Sequence, residues 1–402
     1  MSTHPFSHTL FVGIDVGSQT HSVAFGDEHG HVLHAFEMNH SHESFEHFFA
    51  TLEQYSQIHH ATPHIAMEGY NGWARPLDQM ILERGYALYN VNNVKLSRFK
   101  EMFPGAAKTD QIDARRILEL LILDRHVPTA KNILQPIDRH SRNNAILKRL
   151  TRRHAQLVKE RVVITNRLGA DLQAVAPELK GLSKRINNRW FLQLLTLRKD
   201  IRMLSSVRTA TLNAIPYIRT HSREAIRHWQ RHAHFGMETE YVAPMIYEDA
   251  LRVLELEEKL KALKEQMKAL IPVSPMANLI QTIPGFATIT AATLAGEIGS
   301  IDRFESEASL ALYLGTAPLD NSSGNYTGTK RNQATNRHAK TALTIATALH
   351  GMFVEESYDY LQKKKSQGKK PQQAIRALSR HLVRVIWSMI HQNRPYERRE
   401  ME

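Results

Sequence analysis

Apolar and polar positions near the start of the chain predict short strands followed by alternating helices and strands. Residues 9–16, 20–26 and 31–38 are rich in β-branched and aromatic side chains and are separated by polar turns. Such runs predict three strands joined as an antiparallel meander. Helical periodicity over 44–55, 73–84 and 94–102 then alternates with short apolar runs at 64–67 and 87–91. This order predicts an α/β domain in which helices cover a mixed sheet.

The middle of the chain is basic and has long helical patterns. Residues 143–179 have helical periodicity and many Lys and Arg side chains, and residues 238–271 form a second long helix with charges on one face. Between them, residues 182–233 are basic and irregular, with interspersed aromatic side chains. The two long helices are candidates for a coiled coil, although charge runs of this kind also occur on solvated helix faces.

The C-terminal region is predicted to be all-α. Residues 279–301 predict a helix, a Pro-Gly turn and a second helix, and further helices are predicted at 335–352 and 370–392. Residues 315–331 are predicted to be a polar, glycine-containing loop. Pro272 and Pro275 mark a boundary before this region. The pattern as a whole predicts three domains, which cover residues 1–135, 136–272 and 273–402.

Composition narrows the classes of partner. The chain has 402 residues with 52 Lys and Arg against 40 Asp and Glu, a formal charge of +12 that favours nucleic acid as a polyanionic partner. The absence of cysteine excludes disulfides, thiolate metal sites and cysteine nucleophiles. No secretory signal pattern opens the sequence and no apolar run is long enough to cross a bilayer, so we expect a soluble protein that does not bind membranes.

Four carboxylates are candidates for a metal site. Asp15 and Glu68 lie at the ends of predicted strands, and Asp110 and Asp113 open a predicted helix. In a ribonuclease-H-like sheet the first strand lies beside the strand that follows the first helix, so these side chains would converge. Carboxylate oxygens are the ligands that Mg²⁺ prefers. Each residue also has an ordinary explanation as a turn, a surface or a helix-capping residue.

The motifs around these carboxylates resemble those of a known family. They are Gly13-Ile14-Asp15, Met67-Glu68-Gly69 and Lys108-Thr109-Asp110-x-x-Asp113-Ala114-Arg115, followed near the C-terminus by Ile283-Pro284-Gly285-Phe286, Glu297-Ile298-Gly299, Arg303-Phe304, Tyr313-Leu314-Gly315-x-x-Pro318 and Ser323-Gly324. The sequence is similar to insertion-sequence transposases with an Asp-Glu-Asp-Asp tetrad, which are relatives of the Piv-type DNA invertases. The resemblance extends from about Phe11 to Ile386 and is weak across the basic middle.

The resemblance implies a fold and a chemistry. The N-terminal domain is expected to be RuvC-like, with a tetrad that binds Mg²⁺ or Mn²⁺, and the C-terminal transposase domain carries a serine nucleophile. That nucleophile would be Ser323, which would form a covalent phosphoserine intermediate. Ser322 is a close alternative and Tyr326 a distant one, and His338 is a weak candidate for a base.

Several further residues are candidates for nucleic-acid contacts. The turn at 283–286 resembles a helix-hairpin-helix turn, whose backbone N–H groups can hold a phosphate. The candidates are Lys108, Arg115, Gly285, Lys330, Arg331, Arg337 and Lys340. The family usually has Gly-Asn and Leu-Arg where this chain has Thr335-Asn336 and Ala339-Lys340, so the tight turn and a forked arginine contact are in question here.

The resemblance therefore predicts a transposase that cuts and rejoins DNA. It implies donor and target DNA, a noncoding guide RNA encoded beside the gene, and a dimer or tetramer whose protomers complete the site. The expected location is the cytoplasm of a bacterial or archaeal cell, at the nucleoid. Alternatives are an invertase without a guide, a junction-resolving nuclease that uses water, and a binding module without catalysis.

Overall fold

The protein is described by a computed structural model that consists of two compact units. The described residues are 8–68, 75–91, 93–102, 110–126, 134–137, 142–323, 327–330, 332 and 335–398. One unit comprises Met1–Ala145 and Gly299–Ser309, and the other comprises Ile146–Ile298 and Leu310–Glu402. The division into three domains stays a prediction.

The first unit contains a mixed sheet of six strands. They are β1 (His8–Val16), β2 (Thr20–Gly26), β3 (Val32–Asn39), β4 (Ala61–Glu68), β5 (Ala87–Val91) and β6 (Leu134–Pro136). The order across the sheet is β3-β2-β1-β4-β5-β6. The first three strands form the predicted antiparallel meander, and β4 lies parallel to both β1 and β5. The predicted mixed sheet is confirmed, whereas β6 was not predicted because three residues carry no readable periodicity.

Helices pack on both faces of this sheet. They are α1 (His42–Ile58), α2 (Arg75–Glu83), α3 (Asn93–Lys100) and α4 (Asp110–His126). Successive side chains of a strand point to opposite faces. Ile14 of β1 therefore packs in one core with Phe48 of α1, whereas Phe11 packs in a second core with Leu118 of α4. Each face of β1 is thus covered by a different set of helices.

The basic middle is more regular than its sequence predicts. Its elements are α5 (Arg142–Val175), α6 (Pro177–Gly181), α7 (Arg189–Leu195), a 3₁₀ helix (Ile201–Ser206), α8 (Thr209–Asn213), α9 (Thr220–His232) and α10 (Thr239–Leu270). The prediction that residues 182–233 are irregular was wrong. Most of these helices are too short to show a period, and buried side chains such as Phe191 and Trp229 hold them in one core.

The two long helices lie antiparallel, but the predicted coiled coil is not confirmed. Arg167 of α5 pairs with Asp249 of α10, and Arg252 of α10 donates to Glu160 of α5 at 2.6 Å. Both helices also share their core with the short helices between them. The long helices therefore belong to a larger helical core.

The C-terminal part is helical with one hairpin. Its helices are α11 (Pro275–Gln281), α12 (Thr288–Ile298), α13 (Glu307–Tyr313), α14 (Arg337–Phe353), α15 (Glu355–Ser366) and α16 (Pro371–His391). The segment predicted as a loop contains the two-stranded hairpin of β7 (Leu319–Asp320) and β8 (Thr329–Lys330), and α15 was not predicted. None of the helices in the described parts of the chain is both long and apolar enough to cross a membrane.

Candidate active site

Two of the predicted carboxylates lie at the C-terminal ends of adjacent parallel strands. Ile14 of β1 is in register with Met67 of β4, so Asp15 and Glu68 follow side by side at the same edge of the sheet. Strand alternation directs Asp15 to the face of Phe11 and Glu68 to the face of Ala66. That face is the one that α4 covers.

The other two carboxylates lie on α4, and they come near the strand ends because the backbone of this helix contacts β1. Asp110 and Asp113 lie in its first turn. A Cβ atom at Gly13 would lie 2.4 Å from the backbone oxygen of Ala114 and 2.7 Å from the backbone nitrogen of Leu118. Only glycine leaves room for this contact, because real Cβ atoms do not approach backbone atoms so closely. The start of α4 is thereby held above the end of β1, where Asp15 lies.

The charges of the other three carboxylates act on Asp15. Burial, followed by the charges of Asp113, Glu68 and Asp110, raises the pKa of the Asp15 carboxyl to about 6, against a lowering effect of Lys100. Lys100, the last residue of α3, lies with its Nζ 2.9 Å from Oδ2 of the buried Asp113. The site therefore gathers negative charge that one lysine balances only in part.

The donor set suits a hard divalent cation, but the side chains are not arranged around one. Carboxylate oxygens fit Mg²⁺ or Mn²⁺, and a cation would offset the repulsion that raises the pKa of Asp15. Among the described residues, no three His, Asp or Glu side chains are grouped closely enough to hold a metal ion together. The ion pair between Lys100 and Asp113 would have to open before Asp113 could bind a metal.

The predicted nucleophile lies in the β7–β8 hairpin of the second unit. Leu319 pairs with Lys330, and the N–H of Asn321 donates to the carbonyl of Gly328 at 2.8 Å. Ser322 and Ser323 follow in the connection between the strands and are exposed. A hydroxyl in this position is accessible to a large substrate.

Glu297, for which no role was predicted, anchors both ends of the segment that contains this hairpin. Glu297 of α12 is 0% exposed. Asn336 donates from Nδ2 to Glu297 Oε2 at 2.8 Å and to the Tyr313 hydroxyl at 2.7 Å, and that hydroxyl donates to the Glu297 carbonyl at 2.7 Å. Tyr313 and Asn336 bracket residues 314–335, which include Ser323. The only available signal was their place in the family motifs.

The charge of Glu297 is balanced from α5. Arg152 donates from Nε and Nη2 to the two carboxylate oxygens at 2.7 and 3.0 Å. Burial opposes the charge of Glu297, but the hydrogen bonds from Arg152 and Asn336 and the charge of Lys148 hold the pKa of its carboxyl below the usual value. The basic middle thus supports the C-terminal hairpin through one bidentate ion pair.

The Pro-Gly turn is packed against a neighbouring helix. A Cβ atom at Gly285 would lie 2.6 Å from the backbone nitrogen of His350 in α14, and the His350 ring donates from Nδ1 to the Pro284 carbonyl at 2.8 Å. The N–H of Phe286 donates to the carbonyl of Ile283. This geometry gives Gly285 a packing role, and its proposed phosphate contact stays a prediction.

The remaining candidates are dispersed over the two units. Arg115 is exposed on α4, whereas Lys330 and Arg337 are exposed on the hairpin and at the start of α14. Asn336 caps α14 by accepting from the N–H of Ala339 at 3.0 Å, so replacing the family's Gly-Asn with Thr-Asn leaves the helix start intact. Lys108, Arg331 and Tyr326 lie outside the described residues.

Family models match both the segment with the carboxylates and the segment with the serine hairpin. A family model described as a transposase, of the IS110 type with the Asp-Glu-Asp-Asp tetrad, matches residues 12–177. A second model, described as the transposase IS116/IS110/IS902 family, matches residues 277–361. The first match includes all four carboxylates and the second includes Glu297, Ser323 and Asn336.

Individual relatives are similar over most of the chain. An uncharacterized 44.8 kDa protein of insertion element IS116 from Streptomyces clavuligerus is 24% identical over 404 residues, covering 96% of this chain and 95% of that protein. An uncharacterized 43.6 kDa protein of insertion element IS110 from Streptomyces coelicolor is 25% identical over 76% of each chain. The pilin gene-inverting protein of Moraxella lacunata is 21% identical, over 97% of this chain and 98% of its own length.

The fold, the acidic site and these matches together define a transposase. More narrowly, the chain belongs to the IS116/IS110/IS902 family of transposases.

The raised pKa of Asp15 predicts a pH-dependent effect of Asp15→Asn on stability. Above about pH 6 Asp15 is charged in both the folded and the unfolded state. Burial and the neighbouring carboxylates oppose this charge only in the folded state. The full shift corresponds to about 3 kcal/mol, and solvent screening at this half-buried position reduces the expected gain to about 1 kcal/mol. Asp15→Asn should therefore raise the melting temperature at pH 8 and lose this effect near pH 4.

Asp27→Asn provides a control of opposite sign. Although its slight burial opposes the charge, hydrogen bonds from His31 and His29 lower the pKa of Asp27, so its charge stabilises the folded state above pH 3.8. This variant should melt at a lower temperature at pH 8. An Asp15→Asn protein that melts below the wild type at pH 8 would contradict the electrostatic account of the site.

The buried ion pair predicts that Arg152→Gln destabilises the second unit. Glu297 would keep a buried charge without its bidentate partner, at a cost on the order of 2 kcal/mol near neutral pH. The loss of stability should become smaller as the pH falls below 4.5 and through the lowered pKa of Glu297, because protonated Glu297 no longer needs the guanidinium. Thermal unfolding across pH measures both effects. Arg153→Gln, at an exposed neighbouring position, is the control, and equal losses in the two variants would rule out a special role for the pair.

Proposed function

We propose that this transposase cuts and rejoins DNA at the ends of an insertion sequence, with Asp15, Glu68, Asp110 and Asp113 as its acidic site. The observation that supports the proposal most directly is the gathering of these carboxylates, because the charges of Glu68, Asp110 and Asp113 all act on Asp15. The sheet order, with β4 beside β1, supports a ribonuclease-H-like, RuvC-like assignment for this unit.

The four carboxylates are proposed to hold Mg²⁺ or Mn²⁺ once Lys100 releases Asp113. A bound divalent ion supplies Lewis-acid stabilisation of phosphate charge and lowers the pKa of an attacking hydroxyl. Without it, Lys100 keeps Asp113 paired and limits the repulsion among the carboxylates. The lysine therefore acts as a counter-ion in the resting site.

Ser323 is the proposed nucleophile. Its Oγ attacks the phosphorus of a DNA phosphodiester and loses its proton, a new P–Oγ bond forms, and the bond to the departing strand oxygen breaks as that oxygen takes up a proton. Attack by the hydroxyl of a second strand reverses the step and restores Ser323. Because one phosphate ester replaces another, rejoining needs no external energy source.

The acidic site belongs to one unit and the serine to the other. The family resemblance favours a composite site between protomers of a dimer or tetramer. The pilin gene-inverting relative keeps an alternative open, an invertase that flips one segment without a guide.

Asp113→Asn and Ser323→Ala should separate binding, cutting and covalent chemistry. On a plasmid that carries the element's own ends, Asp113→Asn should lose cutting by at least about a hundredfold while retaining DNA affinity, which comes mainly from Lys and Arg. Ser323→Ala should lose the denaturant-resistant protein–DNA adduct and strand exchange. Gel analysis of adducts and amplification of the junctions measure these outcomes, and chelation of divalent metal should mimic Asp113→Asn.

Matched variants identify the rival functions. Ser322→Ala and Glu119→Gln, the latter on the same helix as Asp113, should retain activity. Cutting that survives replacement of both Ser322 and Ser323 by Ala would indicate a nuclease that uses water. Full activity in Asp113→Asn would exclude the acidic site from catalysis, as expected for a binding module.

A guide RNA is proposed as a partner of the basic middle. Arg149, Arg153 and Lys159 are exposed along α5 and can contact phosphates. The aromatic side chains support this proposal less than their sequence suggested: Phe191 and Trp229 belong to the core, whereas Tyr217 is 81% exposed. Base stacking is therefore restricted to a few positions.

RNA that copurifies with the protein tests this partner. We expect a discrete RNA encoded beside the gene, with a lower yield from an Arg149→Gln, Arg153→Gln double variant because this change removes two cations that neutralise phosphates. Extraction and sequencing identify the RNA, and Lys365→Gln on α15 serves as a control. Recovery of no defined RNA would favour the unguided invertase.

A further inference from the structure

A cavity lies between α14, α16 and the turn that precedes the β7–β8 hairpin. Its volume is about 250 Å³. Its lining includes Gly315 of the turn, Lys340 and Thr344 of α14, and Gln372, Arg376 and Ser379 of α16. Cavities that enclose a whole small-molecule ligand are usually larger, about 300–1,000 Å³. This size therefore suits one part of a longer ligand.

The lining favours an anion. Lys340 and Arg376 contribute positive charge, and none of the described lining residues is acidic. The hydroxyls of Thr344 and Ser379 donate to carbonyls of their own helices, at 2.7 and 2.9 Å, and each hydroxyl has only one proton to give. Three lining groups carry several N–H donors each: the ammonium group of Lys340, the guanidinium group of Arg376 and the amide of Gln372.

The position of Lys340 is set by the turn. Gly315 has a φ of +70°, which side-chain-bearing residues rarely adopt. A Cβ atom there would lie 2.8 Å from Cδ of Lys340 and 2.5 Å from Cγ2 of Thr335. The glycine therefore leaves room for the aliphatic part of Lys340 beside the backbone of the turn. This side of the cavity is thus preformed.

Positive charge continues along α16 beyond the cavity. Arg376, Arg380 and Arg384 recur every four residues and so lie on one helix face, with a span of about 12 Å. Burial and the charge of Arg384 lower the pKa of Arg380. Burial and the charges of Arg384, Arg380 and Lys364 also lower the pKa of His381. A polyanion along this face would relieve the repulsion among these cations.

We propose that the cleft formed by this cavity and the adjoining arginine face of α16 binds the phosphodiester backbone of a nucleic-acid strand. One phosphate occupies the cavity between Lys340 and Arg376, and the following phosphates contact Arg380 and Arg384. Because residues 315 and 316 line the cavity and begin the segment that leads to Ser323, the bound strand would enter beside the serine hairpin. The inference rests on the proposed function only in taking nucleic acid as the polyanion.

Binding by Arg376→Gln and Lys340→Gln in the full-length protein tests the cleft. Fluorescence anisotropy with labelled single-stranded DNA and RNA of one sequence, in the presence of a metal chelator, measures affinity without cutting. Removal of a charge-assisted hydrogen bond should weaken binding about tenfold. The slope of log affinity against log salt should fall by about 0.7 for each phosphate that the variant no longer neutralises. Lys365→Gln, exposed on α15 outside the cavity, is the matched control, and Arg376→Lys should retain most of the affinity.

Each outcome decides the proposal. Weaker binding of both DNA and RNA supports a shared backbone site, and weaker binding of one of them assigns the cleft to that strand. Unchanged affinity, or an equal decrease in Lys365→Gln, overturns the proposal, and thermal unfolding of each variant confirms that it is folded. Failure here leaves the carboxylate chemistry standing, because that chemistry is tested by cutting and this cleft by binding without metal.

Discussion

The backbone contact between α4 and β1 is the constraint on which the acidic site depends. Because Gly13 has no side chain, the helix lies directly on the strand, with Ala114 and Leu118 against it. This contact brings the first turn of α4, with Asp113, over the strand ends that carry Asp15 and Glu68. A larger residue at position 13 would move half of the carboxylates away from the other half.

The second unit uses a buried charge for a similar purpose. Glu297 receives hydrogen bonds from Arg152 and Asn336, while the Tyr313 hydroxyl binds its carbonyl. A buried carboxylate is costly unless it is fully paired, so these partners have few alternative arrangements. The segment with Ser323 therefore begins and ends at defined points, although the serine itself is exposed.

The two sites have opposite electrostatic character. Around Asp15, carboxylates accumulate beyond the capacity of Lys100 to balance them, which suits a divalent cation. Along α16, arginines accumulate beside the cavity that contains Lys340, which suits a phosphate chain. In the proposed function, the first site holds the catalytic ion and the second binds the strand. The fold keeps them in separate units.

Local sequence determined the elements around the acidic site. Short apolar runs rich in β-branched and aromatic residues identified the strands that carry Asp15 and Glu68, and an acidic first turn identified the start of α4 near Asp110, because these signals depend on neighbouring residues. The pairing of Glu297 with Arg152 and the cavity between Lys340 and Arg376 were decided only by tertiary structure. Both join helices that are distant in sequence. The short helices within residues 182–233 were likewise missed, because buried contacts rather than local periodicity stabilise them.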